Sequence, residues 1–161
     1  MGYTVLDIQQ PERKSKYAET ILRCLPEWFG NEKSLFDYIE KVSNLPFWAA
    51  LDENGDCIGF LSVKVQYGHT GDIYVCGVLP EYHKKGIGKK LFSFADEYFI
   101  NCGCKYVIVK TLSEIAQYEP YDKTRAFYLS IGFEPLITLT EMWDDENPCL
   151  IMIKCLRSRD S

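Results

Sequence analysis

Residues 72–91 (Asp-Ile-Tyr-Val-Cys-Gly-Val-Leu-Pro-Glu-Tyr-His-Lys-Lys-Gly-Ile-Gly-Lys-Lys-Leu) constrain the fold of this chain more than any other stretch. An apolar strand runs to Val78, a turn follows at Pro80, and a basic glycine loop opens directly into a helix. Along that helix Ile87, Leu91, Phe94, Ala95, Tyr98 and Cys102 recur at helical spacing, which predicts one buried face. Gly86 and Gly88 carry no side chain, so a ligand can come close to the backbone there. The N–H groups of the helix's first turn then meet that ligand with the positive end of the helix dipole. Lys84, Lys85, Lys89 and Lys90 surround the same spot. Together these features predict a cradle for a pyrophosphate.

The neighbours of the two glycines narrow the kind of loop. Leu91 stands where a dinucleotide fingerprint needs its third glycine, and Gly88-Lys89-Lys90 lacks the metal-binding hydroxyl of a P-loop. The sequence His83-Lys84-Lys85-Gly86-Ile87-Gly88 resembles instead the Gln/Arg-x-x-Gly-x-Gly/Ala loop of the GCN5-related N-acetyltransferases, with His83 in the place of Gln or Arg. A second segment, Ala126-Phe127-Tyr128 followed by Gly132-Phe133, resembles that family's other signature. In physical terms it is a short helix stopped at Gly132, with a strand starting at Phe133. The resemblance covers roughly residues 45 to 156 of the chain.

The resemblance implies acetyl-CoA as cosubstrate, its pyrophosphate held by His83, Lys84, Lys85, Gly86, Ile87, Gly88 and Lys89. It implies that the backbone at Cys76 and Val78 holds the pantetheine arm and the acetyl carbonyl, with Gly77 marking a distortion of the strand. Tyr128 matches the family's acid to the departing thiolate; the other reading of Tyr128 is a core tyrosine. Asp72 stands where one branch of the family carries its catalytic base, one methylene shorter here. An ordered water is the alternative base, and a polar strand-entry residue the alternative role for Asp72. The acceptor side is expected at Trp28 and Phe29, between the first two helices, and at Tyr118, Tyr121 and Trp143. These aromatics are interleaved with acids, which suits a cationic amine. A homodimer is an expectation of the family alone. The functional alternative is a non-catalytic acyl-CoA-binding module.

The chain has 161 residues, 18 Lys+Arg against 23 Asp+Glu, and a net charge of −5. Four of the lysines lie within residues 83–90, where there is no acid, so the basic charge is local to the loop. An otherwise acidic chain of this kind suits a polyanionic small ligand and not a nucleic-acid partner. Seven cysteines, two histidines and no Cys-x-x-Cys pair predict no metal site and thiols that serve as small buried hydrophobes in a reducing cytoplasm. Charged residues throughout 1–25 and no long apolar run predict a soluble cytoplasmic protein with no membrane span.

Periodicity predicts strands at 3–8, 47–51, 57–66, 72–78, 105–109, 133–140 and 150–156. It predicts helices at 14–25, 33–42 and 123–131 besides the one after the loop. The expected fold is α+β, a single acetyltransferase domain over 1–161 with a mixed, mostly antiparallel sheet flanked by helices. Residues 1–45 would shape the acceptor side and 46–156 the acetyl-CoA-binding core.

Overall fold

Strand β1 (Tyr3–Asp7) is followed by α1 (Pro11–Leu22), which starts earlier than periodicity predicts because Pro11 occupies its first turn. Proline suits that position: its φ is already helical and its missing N–H would have had no partner. After Leu22 the chain tightens into i to i+3 bonds, from Cys24 N–H to Ile21 O and from Leu25 N–H to Leu22 O, and Pro26 ends it. Helix α2 (Glu32–Lys41) is capped by Asn31, whose side-chain oxygen accepts from Ser34 N–H at 3.0 Å. The remaining elements are β2 (Phe47–Asp52), β3 (Cys57–Gln66), β4 (Thr70–Val78), α3 (Ile87–Asn101), β5 (Tyr106–Leu112), α4 (Pro120–Ser130), β6 (Glu134–Asp144) and β7 (Asn147–Cys155). The computed structural model describes residues 2–156.

The strands form one seven-stranded sheet in the order β1-β2-β3-β4-β5-β7-β6. Neighbours β1–β2, β2–β3, β5–β7 and β7–β6 are antiparallel, whereas β4 and β5 are parallel over Thr70–Ile73 and Tyr106–Val109. A parallel neighbour requires a crossover connection, and α3 supplies it. The α+β fold with a mixed, mostly antiparallel sheet is thus the one expected. Asn54-Gly55 between β2 and β3 is a signal for a two-residue turn, which needs a positive φ at both residues, but only Gly55 has one, +81°. Asp52 Oδ1 instead accepts from Asn54 N–H and Asp56 N–H, both at 2.9 Å, and gathers a three-residue loop.

The chain divides into two compact units interleaved in sequence, residues 1–64 with 74–98 and residues 65–73 with 99–161. In the first, Ile21, Leu22, Leu25, Leu35, Val42, Phe47, Phe60 and Val75 form a continuous core. Phe47 and Phe60 stack with ring centroids 5.1 Å apart. In the second, Phe99, Val107, Val109, Phe133, Leu150 and Met152 are buried. Gly71 lies directly under the Phe99 ring: a Cβ there would sit 2.6 Å from the ring carbons.

The buried face of α3 is Ile87, Leu91, Phe92, Ala95 and Phe99, rotated from the one the spacing predicts. Phe94 lies at the margin of that face, more than a third exposed, and Cys102 falls beyond the last helical residue. The cysteines divide as well: Cys57, Cys104 and Cys149 are buried as expected, but Cys24, Cys102 and Cys155 are exposed. Cys24 and Cys102 sit in turns that leave a helix, and Cys155 is the last residue of β7.

Burial pushes the Cys57 thiol up to about 12, from the usual 9.0. A group raised in the folded state contributes stability below its unfolded value and loses it as pH rises towards the folded one. Cys57 should therefore resist thiol reagents at pH 8 while the three exposed cysteines react, and the fold should weaken from about pH 9 upward. Timed labelling with mass detection checks the first point. Modification of Cys57 at the pace of Cys24 would contradict it.

Candidate active site

In the first unit the cradle starts at the end of β4. Val78 is half-buried, and Leu79 N–H bonds to Ile58 O at 2.9 Å, which keeps the strand end tied to β3. A short turn over Pro80–Tyr82 follows. Lys84 then takes φ +63° and Gly86 φ +83°, two left-handed residues separated by one. A left-handed lysine is costly, and such strain is retained where the loop's conformation matters. Alternation of this kind turns backbone N–H groups inward to form an anion-binding concavity. The first helical bond of α3 runs from Lys90 N–H to Gly86 O at 3.0 Å, so the N–H groups of Ile87, Gly88 and Lys89 precede the ladder.

A buried Ile87 anchors this otherwise exposed loop. Beneath it is Gly59, where a Cβ would come within 3.2 Å of the Val78 side chain and 3.5 Å of Ile87. Gly59 is a site residue that sequence analysis missed, although a glycine inside an apolar strand is the usual sign of a close approach. Gly77 also has close side-chain neighbours. Its φ is not positive, and a Cβ would lie 2.8 Å from Leu25 Cδ1 and 3.0 Å from Ile21 Cγ2, so it is glycine to let α1 pack against β4.

The residues present fit a pyrophosphate. Lys84, Lys85, Lys89 and Lys90 make no ion pair with any acid among the described residues. Lys85 Nζ lies over the Tyr82 ring at 5.6 Å and Lys90 Nζ over Phe94 at 5.8 Å, contacts that leave their charge available. His83 Nε2 is 2.7 Å from Val78 O.

Around the same strand end lie Trp28 and Phe29. Trp28 packs edge-on against His83 at 6.3 Å, and Phe29 edge-on against Tyr38 at 5.8 Å. Tyr38 in turn meets Tyr74 at 5.3 Å, and Lys64 Nζ lies over the Tyr74 ring at 5.1 Å. Tyr38, Tyr74 and Lys64 were not legible as a group, because α2, β4 and β3 bring them together from distant parts of the chain. Burial first, then the neighbouring Tyr38 and Asp37, push the Tyr74 phenol up to about 12. Burial raises Tyr38 as well, so both phenols keep their protons near neutrality.

The second unit holds Tyr128 on α4, 7 % exposed. The end of that helix explains the Tyr…Gly-Phe spacing. Gly132 N–H bonds to Leu129 O at 3.2 Å and Phe133 N–H to Tyr128 O at 3.0 Å, the paired bonds of a Schellman cap with Gly132 at φ +104°. The hydrophobic contact that accompanies such a cap is Tyr128 against Phe133, edge-on at 5.7 Å. Arg125, one turn earlier, pairs with Asp122 and donates from Nη1 to Leu112 O at 2.6 Å, which fastens α4 to the end of β5.

Asp72 is a buried residue of β4 and not a solvated strand entry. Its Oδ2 accepts from Lys110 Nζ at 2.8 Å and from Gln66 Nε2 at 3.2 Å, and its side chain is 1 % exposed. Of the acceptor-side residues in this unit, Tyr118 and Tyr121 stand 6.0 Å apart, and Trp143 is exposed on β6 with no ring partner among the described residues. No group of three His, Cys, Asp or Glu among the described residues is arranged to hold a metal. Among the described residues no helix is long and apolar enough to cross a membrane.

The family model of the acetyltransferase (GNAT) family matches residues 5–133, and the chain belongs to that family. Two mycothiol acetyltransferases, from Arthrobacter sp. (strain FB24) and Renibacterium salmoninarum, are 35 % identical over 94 residues, 54 % of this chain. The chain spans about a quarter of the length of these curated relatives, 27 % and 25 %. Among solved structures, an aminoglycoside 6′-N-acetyltransferase complexed with coenzyme A superposes with a TM-score of 0.75 at 21 % identity, over 99 % of both chains. Ard1 from Thermoplasma volcanium gives 0.78 at 14 % identity, over 98 % of this chain and all of that one. At these identities the two structures speak for the fold.

Proposed function

We propose that this chain transfers the acetyl group of acetyl-CoA to a primary amine, directly and with both substrates bound. The observation that carries the reading is the loop: left-handed Lys84 and Gly86, three N–H groups ahead of the α3 ladder, and four lysines without acid partners among the described residues. The family match over residues 5–133 supports it. The loop from Lys84 to Lys89 is assigned to the pyrophosphate side of the cosubstrate, and the backbone of Cys76 and Val78 to the pantetheine arm and acetyl carbonyl.

An alkylammonium, with a pKa near ~10, must lose a proton before its nitrogen can attack. Asp72 Oδ2 already binds Lys110 and Gln66, and the carboxylate is closed from solvent. Of the two bases the sequence leaves open, we therefore assign the ordered water. The amine nitrogen attacks the thioester carbonyl, the C–N bond forms and the carbonyl oxygen becomes an oxyanion. As this collapses the C–S bond breaks, the nitrogen gives its extra proton to water, and Tyr128 gives its phenolic proton to the departing sulfur and regains one from solvent. A hydrogen bond to the transient oxyanion at the strand end would contribute about 3–4 kcal/mol.

Trp28 and Phe29, joined by Tyr38 and Tyr74, are assigned to the acceptor wall of the first unit; Tyr118, Tyr121 and Trp143 are assigned to the acceptor side in the second. The names of two similar proteins, mycothiol acetyltransferase and aminoglycoside 6′-N-acetyltransferase, make small molecules such as aminoglycosides the first acceptors to try. Acetyl transfer to a panel of aminoglycosides, polyamines, amino acids and basic peptides, read by mass, tests the proposal. A gain of one acetyl group on one class is the expected result. Intact acetyl-CoA binding with no transfer across the panel would favour a non-catalytic acyl-CoA-binding module.

A further inference from the structure

We infer that His83 is a positioning residue, which holds the C-terminal end of β4 through the Val78 carbonyl and does not itself bind the phosphates. The inference rests on the acetyl-CoA reading above. A carbonyl oxygen only accepts, so the nitrogen 2.7 Å from Val78 O must carry the proton, which assigns the Nε2–H tautomer. In the neutral ring Nδ1 then has a lone pair and no hydrogen. Phosphate oxygens are acceptors too, so neither nitrogen of a neutral His83 has a hydrogen to offer them. A glutamine amide has two N–H bonds and an arginine has five, enough to serve a carbonyl and a phosphate together. A neutral histidine has one, and Val78 O takes it.

The geometry around the ring favours this role. Trp28 packs edge-on against it at 6.3 Å and 78°, which restrains the imidazole on that flank. Tyr82 N–H bonds to Leu79 O at 2.9 Å and His83 N–H to Pro80 O at 3.1 Å, so the turn brings the ring back to the strand it has just left. Val78 is thereby held twice, through Leu79 to Ile58 on one side and through its own carbonyl on the other. The anionic charge is met instead by the lysines and the first-turn N–H groups. His83 makes the strand end and the loop one rigid piece, so that a ligand's phosphate end and its pantetheine arm are placed in register.

Calorimetric titration of the full chain with CoA and with its nucleotide half, adenosine 3′-phosphate 5′-diphosphate, separates the two roles. The His83→Phe variant keeps an aromatic edge for Trp28 but has no donor. It should bind CoA roughly fivefold more weakly, the worth of about one hydrogen bond, and bind the nucleotide half as the wild type does. The His83→Gln variant, whose amide N–H can reach the place of Nε2–H, should restore CoA affinity. Equal weakening for both ligands, or undiminished CoA binding by His83→Phe, overturns the inference and leaves the acetyl-CoA reading standing. A wild-type chain that binds neither ligand overturns that reading and the inference with it.

Discussion

Replacement of Tyr128 by Phe is expected to lower kcat by roughly 10²–10⁴-fold, the usual worth of a positioned general acid, with little change in KM for acetyl-CoA. The ring is 7 % exposed and packs edge-on against Phe133, a contact that phenylalanine keeps. The Schellman cap uses the Tyr128 carbonyl and not its side chain, so α4 should end as before. An interaction made only in the transition state lowers kcat and kcat/KM together. Steady-state kinetics beside thermal unfolding tells this from a core tyrosine. If the variant turns over at the wild-type rate and melts earlier, Tyr128 belongs to the core alone.

The second large effect is one of stability. Lys110→Met should destabilise the fold by about 3 kcal/mol, the lower end of what breaking a buried ion pair costs. The reason is the partner left behind: Asp72 is 1 % exposed and would keep only the Gln66 amide at 3.2 Å. The value stays at the low end because the Lys110 side chain is 27 % exposed, so water can enter where the ammonium was. The double variant Asp72→Leu/Lys110→Met should regain most of the loss, since removing both charges also removes the desolvation penalty. Urea unfolding of both variants measures this. A single variant within about 0.5 kcal/mol of the wild type would show the pair to be a surface-like contact. The same pair bears on mechanism: Asp72→Asn should leave kcat within a fewfold of the wild type if water is the base.

What was legible in the sequence is what short stretches of chain decide for themselves. The glycine loop and its helix and the cap at Gly132 depend on residues within about one turn of each other, through backbone conformation and local hydrogen bonds. The margins of the helices were less legible. Residues 23–25 read as helix by periodicity, but Pro26 forbids the next turn. On α3 the buried stripe includes Phe92 and Phe99 and leaves Phe94 at its margin. A wide apolar face has no unique centre until something packs on it.

Other features depend on approach through space. Asp72 and Lys110 lie 38 positions apart, and only the parallel β4–β5 pairing and β7's insertion beside β5 set the pair inside a sheet. Gly59 and Gly77 are glycine for the sake of Val78, Ile87, Leu25 and Ile21, which no local pattern names. The ring of His83 turns back to Val78 O because a turn delivers it there, and this changes what a histidine at that position can donate. By itself the sequence determined the class of fold, the glycine loop and the residues from which chemistry could be built. The tertiary structure alone decided which of those residues still have a hydrogen bond or a charge to spend on a ligand, because burial and neighbours from distant segments satisfy some of them first.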